Sequence, residues 1–233
     1  MGTTWLITRE ADDARSERDA ILVPCVETKI LPWPFLPLPA TAGQGRGEGL
    51  TFFTSRRSVT SWTTSRAPLE EVASLSPATS QALMREGITP TITSEGGVVA
   101  LAEAVVRLSR ATRINYPTSN AGLASPEQAE ALHILTKLGE VDRRVAYEVT
   151  APAGLRQSLE SAAVGDWSIA FASPSAVHHF FASGALISCG PRHVDCIGAA
   201  TERAWNTARP EGWPPAINSR ATAAEPPTTE VTS

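Results

Sequence analysis

The sequence predicts an α/β protein with parallel sheets covered by helices on both faces, and two observations carry that prediction. Short apolar runs alternate with Ser/Thr/Pro turns and amphipathic stretches, which is the strand-turn-helix grammar of parallel sheets. One version of this pattern then occurs a second time. Thr51–Trp62 aligns with Ile169–Phe180, setting Phe53, Ser55 and Val59 against Phe171, Ser173 and Val177. Ser74–Leu83 aligns with Cys196–Trp205, setting Ala78, Thr79 and Ala82 against Ala200, Thr201 and Ala204. Glu86–Ile92 then answers Glu211–Ile217.

Taken in order, the predicted strands are Trp5–Arg9, Ile21–Val26, Leu50–Phe53, Val72–Leu75, Arg113–Pro117, Arg144–Val149, Ile169–Ala172 and Val194–Ile197. The first and fifth each open a half and lead through a helical stretch, 11–20 in the first case, to a second strand. Leu31–Pro39 reads Leu-Pro-Trp-Pro-Phe-Leu-Pro-Leu-Pro. Its repeated prolines lack N–H donors, so it is expected to connect lobes and not to form a helix or central strand. The segment 219–233, rich in Ala, Thr, Pro and Glu, has no apolar face and is expected to be mobile.

Composition narrows the function. The 233 residues are 42% hydrophobic and 19% charged with a formal net charge of -4, as for a globular protein without a polyanion-binding surface, so no nucleic-acid partner is expected. No apolar stretch reaches membrane-spanning length and the first residues lack a basic leader, which predicts a cytoplasmic protein with no membrane partner. Cys25, Cys189 and Cys196 show no Cys-x-x-Cys spacing and read as buried apolar thiols. His133, His178, His179 and His193 are too scattered for a metal set, so no metal is expected. Gly43–Gly49 has Glu48 where the dinucleotide fingerprint needs glycine, and it precedes a strand; it reads as a flexible loop.

The residues that carry chemistry sit where strands meet helices: Thr54-Ser55, Ser76-Pro-Ala-Thr79, Ser173-Pro-Ser175 and Gly198-Ala-Ala-Thr201. A hydroxyl there caps a first-turn amide, and the positive helix end favours an anion. Any one junction is explained by capping alone. Four at the carboxyl ends of strands, where open α/β sheets take ligands, point to a small molecule with several carboxylates. Tyr147, in the alternating run Arg144–Thr150, has sheet packing as its simplest explanation.

In this order the segments Leu-Ile-Thr-Arg-Glu, Phe-Thr-Ser-Arg-Arg-Ser-Val, Ser-Pro-Ala-Thr-Ser-Gln-Ala-Leu with Glu-Gly-Ile-Thr-Pro, Val-Ala-Tyr-Glu-Val-Thr, Phe-Ala-Ser-Pro-Ser-Ala-Val and Ile-Gly-Ala-Ala-Thr resemble the uroporphyrinogen-III synthase family, from Leu6 to about Ile217. The resemblance implies two flavodoxin-like lobes with parallel sheets, joined by a two-stranded linker. The first lobe would be 1–33 with 152–233 and the second 40–148, with the active site between them. It implies a cyclising hydro-lyase that turns hydroxymethylbilane, a linear tetrapyrrole with several carboxylates, into uroporphyrinogen III, losing water and inverting the last pyrrole ring. No cofactor is implied, and a monomer is expected. Tyr147 is similar to the family tyrosine proposed to assist departure of the hydroxyl. Thr54, Ser55, Arg57, Thr79, Ser173, Ser175 and Thr201 resemble the carboxylate-holding set, and His193 stands where some relatives carry lysine. The sequence departs from the family at Ser76, usually glycine, and after Asn120, where a basic residue is missing. The alternative reading is a non-catalytic two-lobed protein that binds an anionic small molecule.

Overall fold

The computed structural model describes residues 4–8, 20–35, 49–75 and 77–218. The expected opening helix 11–20 except its last residue, the connector beyond Phe35, the glycine-rich loop 43–49 except its last residue, Ser76 and the segment 219–233 lie outside the described residues. The chain divides into two compact units, one made of 1–27 and 150–233 and the other of 28–149.

Along the chain the first elements are β1 (Thr4–Ile7), β2 (Ala20–Leu22), β3 (Glu27–Ile30), β4 (Gly49–Phe53), α1 (Arg56–Thr63), β5 (Glu71–Leu75), α2 (Ala78–Arg85) and β6 (Ile92–Ser94). There follow α3 (Gly97–Leu108), β7 (Arg113–Ser119), α4 (Asn120–Leu123), α5 (Pro126–Leu135) and β8 (Glu140–Thr150). The last are α6 (Leu155–Ala162), β9 (Trp167–Phe171), α7 (Pro174–Ala182), β10 (Val194–Cys196), α8 (Ala199–Ala208) and β11 (Ile217–Asn218).

One sheet has the order β11-β10-β9-β1-β2, and the other β3-β8-β7-β4-β5-β6. Within the first, β2, β1, β9, β10 and β11 pair in parallel, which in chain order is the flavodoxin-like 2-1-3-4-5 arrangement. Within the second, β8, β7, β4, β5 and β6 pair in parallel in the corresponding places. The strand pair that comes first in one unit comes last in the other. The two copies of the sequence repeat therefore occupy equivalent positions, β4 to β6 in one sheet and β9 to β11 in the other, while each half of the chain is split between both units.

Alternation along β4 explains how one strand serves two helix layers. Phe52 is fully buried in a cluster with Leu101, Val105, Ile114 and Leu135 on the α3/α5 face. Its neighbour Phe53 is fully buried among Val59, Trp62, Val72 and Leu83 on the α1/α2 face. The first unit instead packs aromatic rings: Trp205 is fully buried and lies 5.4 Å from Phe171, 5.3 Å from Phe181 and 5.8 Å from Trp213 between centroids.

The described residues correct or refine several expectations. The strand placed at 21–26 stops at Leu22, although Val23 N still donates to Ile7 O at 2.9 Å and Cys25 N to Thr8 O at 3.4 Å. The short β3 lies beside β8 where no strand is expected from the sequence, since it is mostly exposed and has no apolar run to mark it. Over 31–35 the Pro-rich segment is anchored to its neighbours: Ser61 Oγ donates to Leu31 O at 2.8 Å, Trp33 packs on Phe53 at 5.9 Å, and Arg144 Nη1 donates to Pro34 O at 3.0 Å. Of the cysteines, Cys25 and Cys196 are buried as expected, but Cys189 is exposed.

Candidate functional site

The predicted strand-to-helix junctions separate into two kinds. Ser55 and Ser173 are N-caps in extended backbone conformation, as their place before α1 and α7 suggests. Ser55 Oγ accepts from Arg57 N at 3.2 Å, and Ser173 Oγ accepts from Ala176 N at 3.2 Å. Thr54, Arg57 and Ser175 flank these caps and are partly buried. The hydroxyls of Ser55 and Ser173 are thus already used by the backbone.

The second junction in each unit differs. Among the described residues, neither α2, with Pro77 at its N-cap, nor α8, with Gly198, has a side-chain cap, which leaves first-turn amides there for an outside acceptor. Gly198 has φ of +97°, a conformation that favours glycine. Thr79 and Thr201 are not caps. They lie inside the first turns, 4% and 2% exposed, and Thr201 Oγ1 makes only a long 3.5 Å contact with Ile197 O. Because β4 adjoins β5 and β9 adjoins β10, each unit presents a capped and an uncapped helix start side by side at the carboxyl edge of its sheet.

Electrostatics distinguish the two pairs. No acidic residue occupies the first turn of α2, whereas α8 carries Glu202 there. Burial first, then Asp195 and Glu202, push the Cys196 thiol up to about 12. An anion is therefore better accommodated at α2 than at α8.

Tyr147 lies toward the carboxyl end of β8, 8% exposed. Opposite Thr118 and Ser119 the register of β7 with β8 slips by one residue, which brings Tyr147 level with Ser119 in place of Ala146. Such irregularities re-aim the side chains beyond them. The strand end is fixed by Asn120, whose Oδ1 accepts from Val149 N at 2.8 Å and whose Nδ2 donates to Val149 O at 3.2 Å. With β4 two strands away from β8, the Tyr147 backbone lies about 10 Å from that of Thr54 on the same sheet edge.

Tyr147, Thr54, Ser55, Arg57 and Thr79 thus share one sheet edge, and Ser173, Ser175 and Thr201 share the corresponding edge of the other unit. His193 joins neither. It is exposed and precedes β10, at the amino-terminal edge of the sheet, with its carbonyl accepting from Ile169 N at 3.0 Å. Among the described residues no group of three metal-ligating side chains occurs.

Between β7 and β8 and the α4–α5 segment lies a partly buried polar cluster that sequence reasoning misses. Arg143 Nη2 donates to Gly122 O at 2.5 Å and to Gln128 Oε1 at 3.3 Å, while Thr118 Oγ1 donates to the same Gln128 oxygen at 2.5 Å. The Arg143 guanidinium lies 5.3 Å from the centre of the Tyr116 ring. A Cβ on Gly122 would collide with Thr118 Oγ1 and the Gln128 amide, so only glycine lets the cluster close. The sequence signal for it is slight: Tyr116 is one of two tyrosines, and Arg143 sits in a charged run that resembles a solvated surface.

Comparison with known proteins bears on this arrangement. No curated protein matches the chain. Among solved structures, a mutant uroporphyrinogen III synthase from the extremely thermophilic bacterium Thermus thermophilus is 14% identical, with 88% of this chain and 89% of that chain covered and a TM-score of 0.54. The wild-type protein from the same organism is 14% identical over 88% of each chain, with a TM-score of 0.42. At such identity the first likeness speaks for the two-unit α/β fold. A family model described as Uroporphyrinogen-III synthase HemD matches residues 14–225, which spans both units and every strand-to-helix junction described above. The chain belongs to the uroporphyrinogen-III synthase family.

Proposed function

We propose that this chain cyclises hydroxymethylbilane to uroporphyrinogen III with Tyr147 as the proton donor to the departing hydroxyl. The C–O bond breaks with its electron pair on oxygen, that oxygen takes the phenol proton, and water leaves. The resulting azafulvene closes through a spiro intermediate that inverts the last pyrrole ring. The proton released when that ring regains aromaticity restores the phenol. The observation that supports this role is the position of Tyr147, mostly buried at the carboxyl edge of the same sheet whose β4 and β5 lead into α1 and α2. A phenol donates at neutral pH, and removal from water strengthens its hydrogen bond to a leaving oxygen.

The substrate carboxylates fall to backbone amides and hydroxyls. Thr79 and Thr201, at the uncapped helix starts, are the holding residues this reading favours. Thr54, Arg57 and Ser175 border the capped starts, where Ser55 and Ser173 act mainly by fixing the backbone. His193, on the other edge of its sheet, has no part in this reading. The enzyme then works as a cytoplasmic monomer without metal or nucleotide; among the described residues no helix is long and apolar enough to cross a membrane.

The deciding assay supplies hydroxymethylbilane to the purified protein without additives and separates the type III product from the type I ring that forms spontaneously. Predominantly type III product is expected. Product that stays type I at every concentration of folded protein would leave a carboxylate-binding protein with no reaction. Tyr147→Phe keeps the ring and should lower turnover by roughly tenfold to a thousandfold. Turnover equal to wild type would reduce Tyr147 to a packing residue.

A further inference from the structure

We propose that Asn120 is a positioning residue for Tyr147: its side-chain amide stands in for the ladder partner that β7 lacks and so holds the end of β8 in the orientation that aims the phenol. The inference rests on the catalytic reading of Tyr147.

Alternate residues of a strand turn their N–H and C=O to the same side and their side chains to the same face. Tyr147 and Val149 are such a pair, both beyond the slip in register on β8. Tyr147 is level with Ser119, the last residue of β7, and α4 begins at Asn120, so β7 has no residue to set against Val149. The Asn120 side chain meets it instead. Its Oδ1 accepts from Val149 N at 2.8 Å and its Nδ2 donates to Val149 O at 3.2 Å, which satisfies both groups that a longer β7 would have paired. On the other flank of Tyr147, Ala146 O accepts from Leu31 N at 3.0 Å. Backbone bonds therefore bracket Tyr147, and on its carboxyl side the bracket toward β7 is the Asn120 amide.

Asn120 is itself held. Ser119 Oγ accepts from Gly122 N at 2.9 Å, and Gly122 O accepts from Arg143 Nη2, so the turn that carries Asn120 is tied back to β8 ahead of Tyr147. Asn120 is exposed, and its loss leaves the apolar core intact. The phenol is more sensitive than the core, because a proton donor works only in a narrow geometry and a misplacement of about 1 Å can cost about a hundredfold in rate. A strand end freed at Val149 lets the Tyr147 backbone shift. The helix starts proposed to hold substrate carboxylates in this unit follow β4 and β5 and do not depend on that strand end.

The test measures steady-state turnover of hydroxymethylbilane, with product isomers separated, for wild type, Asn120→Ala, Tyr147→Phe and the double variant, together with amide hydrogen exchange at Val149. In Asn120→Ala the Val149 amide should lose protection while the melting temperature stays near that of wild type. Its kcat should fall about three- to thirtyfold with KM unchanged. The double variant should turn over no more slowly than Tyr147→Phe alone, because Asn120 acts only through the phenol. A wild-type kcat in Asn120→Ala, while Tyr147→Phe is impaired, overturns the positioning role and leaves the catalytic reading standing. Independent, multiplicative losses in the double variant overturn it as well, and so does a rise in KM at constant kcat, which would make Asn120 a substrate-binding residue. Equal exchange at Val149 in wild type and Asn120→Ala would show that the amide does not hold the strand end, and a large fall in melting temperature would make Asn120 a structural residue; either result overturns the inference. Wild-type turnover in Tyr147→Phe removes the catalytic reading and this inference with it.

Discussion

The two units build the same order of five parallel strands, yet they stabilise and equip it differently. In the 28–149 unit the two faces of β4 feed separate aliphatic-rich clusters, and the long β8 carries Tyr147. The strand in the corresponding place of the other unit, β2, has three residues and no tyrosine. That unit relies on stacked aromatics around Trp205 and contains both buried thiols. A shared scaffold thus need not share its work: both sheets present helix starts at their carboxyl edges, while the tyrosine proposed as proton donor lies in one of them.

The sharpest way to break this comparison is to damage one core and look for the effect in the other. Trp205 is fully buried and its Nε1 donates to Pro214 O at 2.9 Å. Trp205→Ala should cost about 3–5 kcal/mol, a large share of the roughly 5–15 kcal/mol typical of a domain. Amide hydrogen exchange should then show lost protection in β9 and β10 with β4 and β5 nearly unchanged. Phe52→Ala should give the opposite pattern. Equal loss in both sheets from either substitution would mean that the two units unfold as one.

Alkaline pH should also single out the first unit. Burial pushes the Cys25 thiol up to about 12. A thiol raised in the folded state contributes its stability below its unfolded pKa, near 9, and loses it as pH rises toward the folded value. The slope should be on the order of 1.4 kcal/mol per pH unit within that window. Urea unfolding of Cys25→Ala between about pH 8 and 11 should show a shallower pH dependence than wild type, whatever its stability at the lower end of that range. An unchanged slope would show that Cys25 does not govern alkaline loss.

Local features were the ones most legible in the sequence. The strands Gly49–Phe53 and Trp167–Phe171 were legible as Leu50–Phe53 and Ile169–Ala172 because nearly every residue in them is buried, which leaves short, mainly apolar runs. Ser55 and Ser173 could be read as caps because a cap acts on an amide only two or three residues away. What stayed hidden depends on pairing across the chain. Arg143 meets Gly122 and Gln128 only because β8 lies beside β7, and nothing in Asp142-Arg143-Arg144 distinguishes the inward arginine from Arg144, which bonds Asp142 at 2.9 Å at the surface. The slip in register that brings Tyr147 level with Ser119 has no sequence mark either.

The smallest expected effects test whether hydroxyls at the helix starts hold substrate or only the backbone. Ser55→Ala and Ser173→Ala each remove one capping bond and should cost about 1 kcal/mol of stability. Since those oxygens already accept from Arg57 N and Ala176 N, KM should change by less than about twofold on the scale of that bond. Thr79→Val and Thr201→Val make the reverse case. Valine keeps the shape of threonine, and Thr201 Oγ1 gives up only a long contact. If these hydroxyls bind carboxylates beside uncapped amides, KM should rise by roughly three- to tenfold, the equivalent of one hydrogen bond of about 0.7–1.4 kcal/mol. The rise should be larger for Thr79→Val, because Glu202 and Asp195 weaken anion binding at α8 while the first turn of α2 carries no acid. Steady-state KM for the four variants, set beside their urea midpoints, separates the two roles. A larger KM effect from the serines than from the threonines would reverse the assignment and make the capping oxygens the ones that meet substrate.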